Sequence, residues 1–538
     1  MIAAIDTASV SQGPGAIELV FLLLFAATGL AVVARRLGIP YPILLVIGGV
    51  LLGFVPGLPS VALAPNIVFL LFLPPILFGA GFFTSIRDLK ANFRPIALLA
   101  VGLVLFTTVV VAIVAHALIP SLPWAVAFAL GAIVAPPDAV AATSVFQRLG
   151  VPRRAVTILE GESLLNDATA LVALGFAVTA AQTGAFSLGG AAANFGYVAV
   201  VGILIGVAAG FLVGAVVRRL DDPVFSVVVT FLAPATIYVA AQFVGASGVL
   251  AVVAAGILVG QRAPRTQSSE VRLAGQAAWQ VLLFLINGAV FILIGLQLPA
   301  VIAGIQSRTA AELVLLAVAI SLTVIVARIV WVFPGTYIPR ALSEKIRTRE
   351  PNPPRRNVFL VSWAGMRGVV SLAAALSLPL TIGASPFPER NLLIFLAFAV
   401  ILATLVGQGI SLPLVIRRLG IVADGGAAHD EAHVRLAAVE AGVARIEELA
   451  VQWPDHLPLI ESLRVQYGHR AEHLDELHHE GPETEAEQEL LEHREIRRAV
   501  IDAEREAILR LRDGGGVTDD AFRAVERDLD LEELRMEA

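Results

Sequence analysis

Residues 155–182 read AVTILEGESLLNDATALVALGFAVTAAQ, a stretch long enough to cross a bilayer that nevertheless holds Glu160, Glu162 and Asp167. About 20 mostly apolar residues span the hydrocarbon core as a helix. An ionisable side chain at that depth is costly, so each one marks a functional candidate. Glu162 and Asn166 are four residues apart and share a helix face, while Asp167 is turned from them by about 100°. One acid therefore faces a partner helix while the other faces a cavity. Desolvation favours the neutral form of a carboxylic acid, which lets a buried carboxylate trade a proton for a cation near neutral pH. The plainer alternative, capping at a helix start, suits Glu160 better than Asp167.

The rest of the chain places this stretch in a membrane. Of 538 residues, 57% are hydrophobic and 15% charged, with mean hydropathy +0.82. Soluble domains run near ~45–50% apolar and ~25% charged, so a soluble enzyme and a disordered chain are both excluded. The absence of cysteine excludes disulfide scaffolds, Cys-ligated metals and thiol catalysis. A net charge of −6 argues against nucleic acid as a partner. That charge is unevenly divided. Residues 1–420 hold 25 of the 38 Lys and Arg and 14 of the 44 Asp and Glu, net +11, whereas 421–538 carry −17 and eight of the nine His. The reading is a membrane domain, 1–420, followed by an acidic, largely helical cytoplasmic tail, 421–538.

Thirteen apolar segments are candidate spans: 17–34, 41–58, 66–83, 95–118, 123–147, 155–182, 192–217, 223–243, 247–262, 276–298, 311–335, 357–381 and 391–417. Alternate loops from Arg35 to Arg418 hold 21 Lys and Arg, and the opposite loops hold only Arg308 and Arg390. By the positive-inside rule the N-terminus lies outside and the C-terminus in the cytoplasm. With thirteen spans, two six-helix repeats joined by span 7 put equivalent helices seven apart and inverted, a transporter design with interrupted helices at matching places. Span 5 carries Gly131-Ala-Ile-Val-Ala-Pro136-Pro137-Asp138 and span 12 carries Gly365-Met366-Arg367-Gly368. Both read as broken, and they are seven apart.

The breaks hold two further charges. Prolines 136 and 137 remove backbone donors, and the carbonyls so exposed, beside Asp138, suit a dehydrated cation such as Na+. Arg367 offsets the negative end of a half-helix, as Asp138 offsets a positive one. Arg328, mid-span in Ile325-Val-Ala-Arg328-Ile-Val-Trp331, needs a buried anion, and Glu162 is the choice, as a structural pair. Asn287 reads as an interhelical hydrogen-bonding residue and Pro74-Pro75 as a kink. In the tail, residues 430–450 and 485–512 have helical periodicity, Gly514–Gly516 break the second, Thr518-Asp519-Asp520 resemble an N-cap, and 473–481 include three His. No phosphate-binding loop, H-E-x-x-H or G-x-S-x-G motif is present, so ATP-driven pumping, hydrolysis and a cofactor have no sequence support.

Three segments together carry a resemblance. Ala135-Pro-Pro-Asp138-Ala-Val-Ala, Leu159-Glu-Gly-Glu162-Ser163-Leu-Leu-Asn166-Asp167 and Trp363-Ala-Gly-Met-Arg367-Gly-Val-Val-Ser resemble the signatures of monovalent cation/proton antiporter family one, the NhaP/NHE type, over roughly residues 15–420. The resemblance implies an all-α homodimer of thirteen-helix protomers in a bacterial inner membrane, with crossing broken helices. A core (about 95–182 and 311–417) would move like an elevator against a dimerisation side (about 15–83 and 192–298). It implies exchange of one Na+ or Li+ for one H+, the adjacent Asn166-Asp167 marking electroneutral exchange. Asp167 would bind cation and proton, Asp138 and Ser163 would add oxygen ligands to Na+, and Glu162 would pair with Arg328. The chain departs from the pattern at Pro137, which leaves only its backbone carbonyl as a ligand, and at Gly79, where the family often has an acid.

Within transport, K+/H+ exchange uses the same residue types. A cation channel wants pore rings or a filter-like loop, a membrane sensor would signal through the tail, and an intramembrane enzyme needs a nucleophile or metal set; no such feature is found. The expected partners are Na+ or Li+ (or K+), H+ and the bilayer, with no nucleic acid; the sequence names no partner for the tail.

Overall fold

The computed structural model describes residues 15–55, 68–184, 188–220, 222–305, 308–350, 352–382, 385–421, 426–480, 485–513 and 519–537. It divides into two compact units, Met1–Ala423 and Asp424–Ala538. Among the described residues the first unit's regular structure is helical apart from a two-residue antiparallel pairing, Thr381 opposite Pro386 and Ile382 opposite Ser385. Its principal helices are α1 (Gly15–Leu37), α2 (Tyr41–Gly53), α3 (Leu73–Phe83), α4 (Phe93–Leu118), α5 (Trp124–Val134), α6 (Val140–Leu149), α7 (Arg153–Thr183) and α8 (Leu188–Leu220). They continue with α9 (Pro223–Phe243), α10 (Gly248–Thr266), α11 (Ser269–Leu296), α12 (Ala310–Leu342), α13 (Arg355–Trp363), α14 (Val369–Leu376) and α15 (Arg390–Arg418).

Seven helical segments among the described residues are long and apolar enough to cross a membrane: Phe93–Leu118, Arg153–Thr183, Ala192–Leu220, Pro223–Phe243, Ser269–Ala303, Ala310–Leu342 and Arg390–Arg418. Some of the others are shorter, as at Tyr41–Gly53, or interrupted, as between α5 and α6 and between α13 and α14. The residues sort as a membrane solvent requires. Phe25, Leu212, Leu232, Phe243 and Leu315 point their side chains outward, while Glu162, Arg328 and Arg367 are fully buried. Lipid is as apolar as leucine, so close packing of small residues rather than apolar burial holds such helices together. Accordingly Gly256 and Gly260 of α10 lie directly against the backbone of Phe78 and Phe82 in α3, where a Cβ would overlap the carbonyls.

Three π-helical stretches interrupt the ladders: Val68–Phe72 before α3, Leu98–Leu103 within α4 and Ala403–Gln408 within α15. The first ends where Pro74 and Pro75 cannot donate to the preceding turn, so the kink expected there is a change of helix type. Gly79 follows on α3, and the space an acid would need is taken by Leu283 of α11.

The second unit contains helices α16 (Gly426–Gln452), α17 (Leu457–Glu480), α18 (Glu485–Asp513) and α19 (Asp519–Glu537). Arg464 of α17 forks onto Glu447 of α16 at 2.7 and 2.8 Å and holds that carboxyl below the usual range. Arg505 of α18 contacts Asp530 and Glu533 of α19, each at 2.8 Å. The side chains of the three histidines at 473–481, Gly514–Gly516 and Thr518 lie outside the described residues.

Candidate functional site

The two interruptions meet. α5 stops at Val134 because the prolines that follow lack the N–H its ladder needs, and the chain resumes helix at Val140. The second break runs from Ala364 to Gly368. Between them, the Asp138 N–H donates to the Met366 carbonyl at 2.7 Å, so two segments far apart in sequence are bonded through their unwound backbones. Gly368 makes the approach possible: a Cβ there would overlap the Asp138 carboxylate.

Charges complete the crossing. Arg367 is fully buried and lies over the carbonyl end of α5, donating from Nε to Val134 at 3.1 Å and from Nη2 to Ala135 at 3.5 Å, with Nη1 on the Gly365 carbonyl. A cation is favoured there because a helix C-terminus carries partial negative charge. Asp138 stands at the opposite kind of end, its Oδ1 accepting from the Val140 N–H at 2.9 Å at the start of α6. The Arg367 N–H donates to Thr404 Oγ1 at 3.1 Å, on the π-helical turn of α15. That turn thus fixes the break from behind.

A cavity of about 350 Å³ opens against the crossing. Asp138, Ser163 and Asp167 all line it, with Pro137 beside them. Asp167 is 6% exposed and its carboxylate accepts no hydrogen bond among the described residues. One turn of α7 away, Ser163 Oγ accepts from the Ala139 N–H at 3.4 Å. Asn166 Nδ2 donates to the Pro137 carbonyl at 2.7 Å, so that oxygen has one lone pair engaged, while Asn166 Oδ1 is buried without a partner among the described residues. Glu162 faces away from the cavity. Arg328 of α12 grips it at 2.5 and 2.7 Å and also donates to the Val361 carbonyl at 3.2 and 3.1 Å.

Of the two readings open for Glu160, the structure favours the cavity, and it adds Ser371 to the lining. Glu160 does not cap a helix start: α7 begins at Arg153 behind Pro152, two turns earlier, and Glu160 lines the cavity. Ser371, to which the sequence assigns no role, lines the cavity at 1% exposure with its hydroxyl unpartnered among the described residues. Its signal was its spacing, three residues beyond Gly368 on the same face of a restarting helix. Asn287, read as an interhelical bridge, is buried on the cavity wall, and no hydrogen bond of its side chain is found among the described residues.

Residues 20–418 match the family described as sodium/hydrogen exchanger, transmembrane. The chain belongs to this family. It is 34% identical over 533 residues to an uncharacterized Na+/H+ exchanger of Mycobacterium tuberculosis, covering 97% of this chain and 96% of that one. That likeness runs through most of the acidic tail, which the signature segments left out. A sodium, potassium, lithium and rubidium/H+ antiporter of Bacillus subtilis is 37% identical over 412 residues, covering 74% of this exchanger and 61% of that protein. The solved sodium proton antiporter MjNhaP1 of Methanocaldococcus jannaschii shares the fold, with a TM-score of 0.61 at 21% identity over 75% of this chain and 98% of that one. The exchanger is thus a multi-helix membrane antiporter whose relatives are transporters and not enzymes.

Proposed function

We propose that the exchanger is a secondary active Na+(Li+)/H+ antiporter in which cation and proton compete for the carboxylate of Asp167. The observation that carries this reading is a buried, cavity-facing carboxylate with no donor among the described residues. Such a group must be neutralised to stay out of water, and either a proton or a monovalent cation does so. Na+ is a hard cation that takes oxygen ligands, and Asp138, Ser163 and the second lone pair of the Pro137 carbonyl supply them beside Asp167. Ser371 adds a hydroxyl that a proline at 137 lacks. If the charged, empty site does not reorient, Asp167 crosses only with H+ or with the cation, and exchange follows.

The larger frame belongs to the same proposal. Thirteen crossings form two inverted six-helix repeats, with α5–α6 and α13–α14 as the crossing pair. The core, about 95–182 and 311–417, alternates access against a dimerisation side in a homodimer. The 21 against 2 distribution of Lys and Arg between alternate loops supports an outside N-terminus and a cytoplasmic C-terminus in a bacterial inner membrane.

Proteoliposomes with an imposed pH gradient test the reading: Na+ or Li+ added outside should shift internal pH, and an internal pH indifferent to every cation would remove it. Stoichiometry is tested in the same vesicles. Asn166 brings no titratable group next to Asp167, so one-for-one exchange is expected, and a valinomycin-imposed potential should not drive it; a clear response to voltage contradicts electroneutrality. A second reading, that the site also takes K+, is favoured by the likeness to the sodium, potassium, lithium and rubidium/H+ antiporter of Bacillus subtilis, and the K+ arm of the assay decides it.

The crossing itself is tested at Gly368. Gly368→Ala places a methyl where the Asp138 carboxylate lies, and exchange is expected to fall at least about tenfold, a barrier change of only ~1.4 kcal/mol. Wild-type rates in a folded Gly368→Ala protein would show that Asp138 need not sit against the second break.

A further inference from the structure

A second cavity, of about 100 Å³, lies away from the transport cavity, among α4, α7, α12 and α13. Its floor is apolar, built from Leu98, Val361 and Trp331, whose indole N–H is used up on the Leu98 carbonyl at 3.0 Å. Its rim is basic. Arg94 and Arg340 both donate to one oxygen of Glu350, at 3.1 and 2.9 Å, and Arg340 Nε donates to the Glu350 carbonyl at 3.1 Å. Arg154, exposed, has among the described residues only the Asn92 side-chain oxygen, at 3.0 Å. The rim therefore carries three guanidinium groups, of which Arg94 and Arg340 share one carboxylate. Neighbouring Arg153 adds no excess, being paired with Asp88 at 3.0 Å. Two helices also begin at the rim, α7 behind Pro152 and α13 behind Pro354, neither with a side-chain cap, so their positive ends add to the field.

We propose that this pocket holds the phosphate of an anionic phospholipid headgroup, with the first part of the lipid on the apolar floor. Guanidinium forks match phosphate oxygens, and basic pockets between membrane helices are suited to acidic headgroups. A free phosphate shares the charge but has no use for the apolar floor, and the phenyl ring of Phe93, next to Arg94, is 60% exposed. Occupancy ties the starts of α7 and α13 to α12. The floor touches the buried scaffold of the membrane unit, because the Val361 carbonyl is the one that Arg328 holds.

The test uses full-length, delipidated protein and reads binding, which does not depend on the transport proposal. Native mass spectrometry against phosphatidylglycerol is expected to show a retained lipid, with phosphatidylcholine much weaker. Arg154→Gln should weaken phosphatidylglycerol binding about fivefold, the weight of one surface cation. Arg94→Gln should do the same, and Glu350→Gln, which removes the lone carboxylate, should tighten it. Unchanged phosphatidylglycerol affinity in folded Arg154→Gln and Arg94→Gln proteins overturns the site. Inorganic phosphate alone competing as well as the lipid would overturn the lipid assignment.

Discussion

Asp167→Asn is expected to abolish cation-dependent proton exchange while leaving the protein as stable as the wild type. The two halves of this expectation come from the same geometry. Asparagine matches aspartate in shape but can neither take up a proton nor neutralise a bound cation, so competition at the site ends. A loss of more than about a hundredfold corresponds to ~2.7 kcal/mol or more on the barrier. No described group donates to the Asp167 carboxylate, so the substitution strands no partner, and removing a charge held away from water relieves a desolvation cost. Thermal unfolding in detergent should therefore hold or rise. Na+ should raise the melting temperature of the wild type, as any ligand of the folded state does, and should not raise that of the variant. Asp138→Asn is expected to differ. Its carboxylate accepts from the Val140 N–H at the start of α6, and an asparagine Oδ1 keeps that acceptor. Exchange should therefore be severely impaired rather than abolished, with little change in stability. Full exchange by Asp167→Asn would sink the competition mechanism whatever Asp138 does.

Local rules in the sequence located the parts of this site, and through-space contacts assembled them. Pro136-Pro137 and the Gly365–Gly368 stretch are readable as breaks because backbone donors and side-chain bulk are properties of single residues. The spacing of Glu162, Asn166 and Asp167 is readable because helical angle depends only on position. The structure puts those three side chains on Arg328, on the Pro137 carbonyl and on the cavity, respectively. The partner of Arg367 was legible only in kind, as the negative end of some half-helix. That the end belongs to α5 follows from the crossing, whose register no periodicity encodes. Thr404 was invisible for a similar reason, since it acts from a π-helical turn that leaves no compositional trace. For Glu160 the sequence leaves capping and cavity both open, because composition does not mark a helix start sharply; with α7 beginning at Arg153 behind Pro152, Glu160 lies two turns inside the helix. Gly79, conspicuous as a missing acid, is explained by Leu283, a neighbour from a helix some 200 residues away.

The second large effect is expected at Glu162, and it should fall on stability first. Glu162 and Arg328 are both wholly buried and joined by two hydrogen bonds of 2.5 and 2.7 Å. Removing one partner of such a pair leaves an uncompensated charge out of water and costs about 3–5 kcal/mol. Glu162→Gln retains one acceptor oxygen but no charge, so Arg328 keeps the Val361 carbonyl and one weakened contact. A marked fall in detergent melting temperature is expected, with exchange reduced in proportion to the protein lost. Arg328→Gln should destabilise by a similar amount, because it strands the carboxylate instead. The double variant Glu162→Gln/Arg328→Gln separates a structural pair from a transport group. Two amides of matched size restore charge balance, so its stability should exceed that of either single variant, the signature of coupling between touching residues. Exchange should recover with it, since Asp167, Asp138 and Ser163 are untouched. A Glu162→Gln protein that melts like the wild type yet exchanges nothing would place Glu162 among the groups that handle the proton, and the pair would then belong to transport and not to the scaffold.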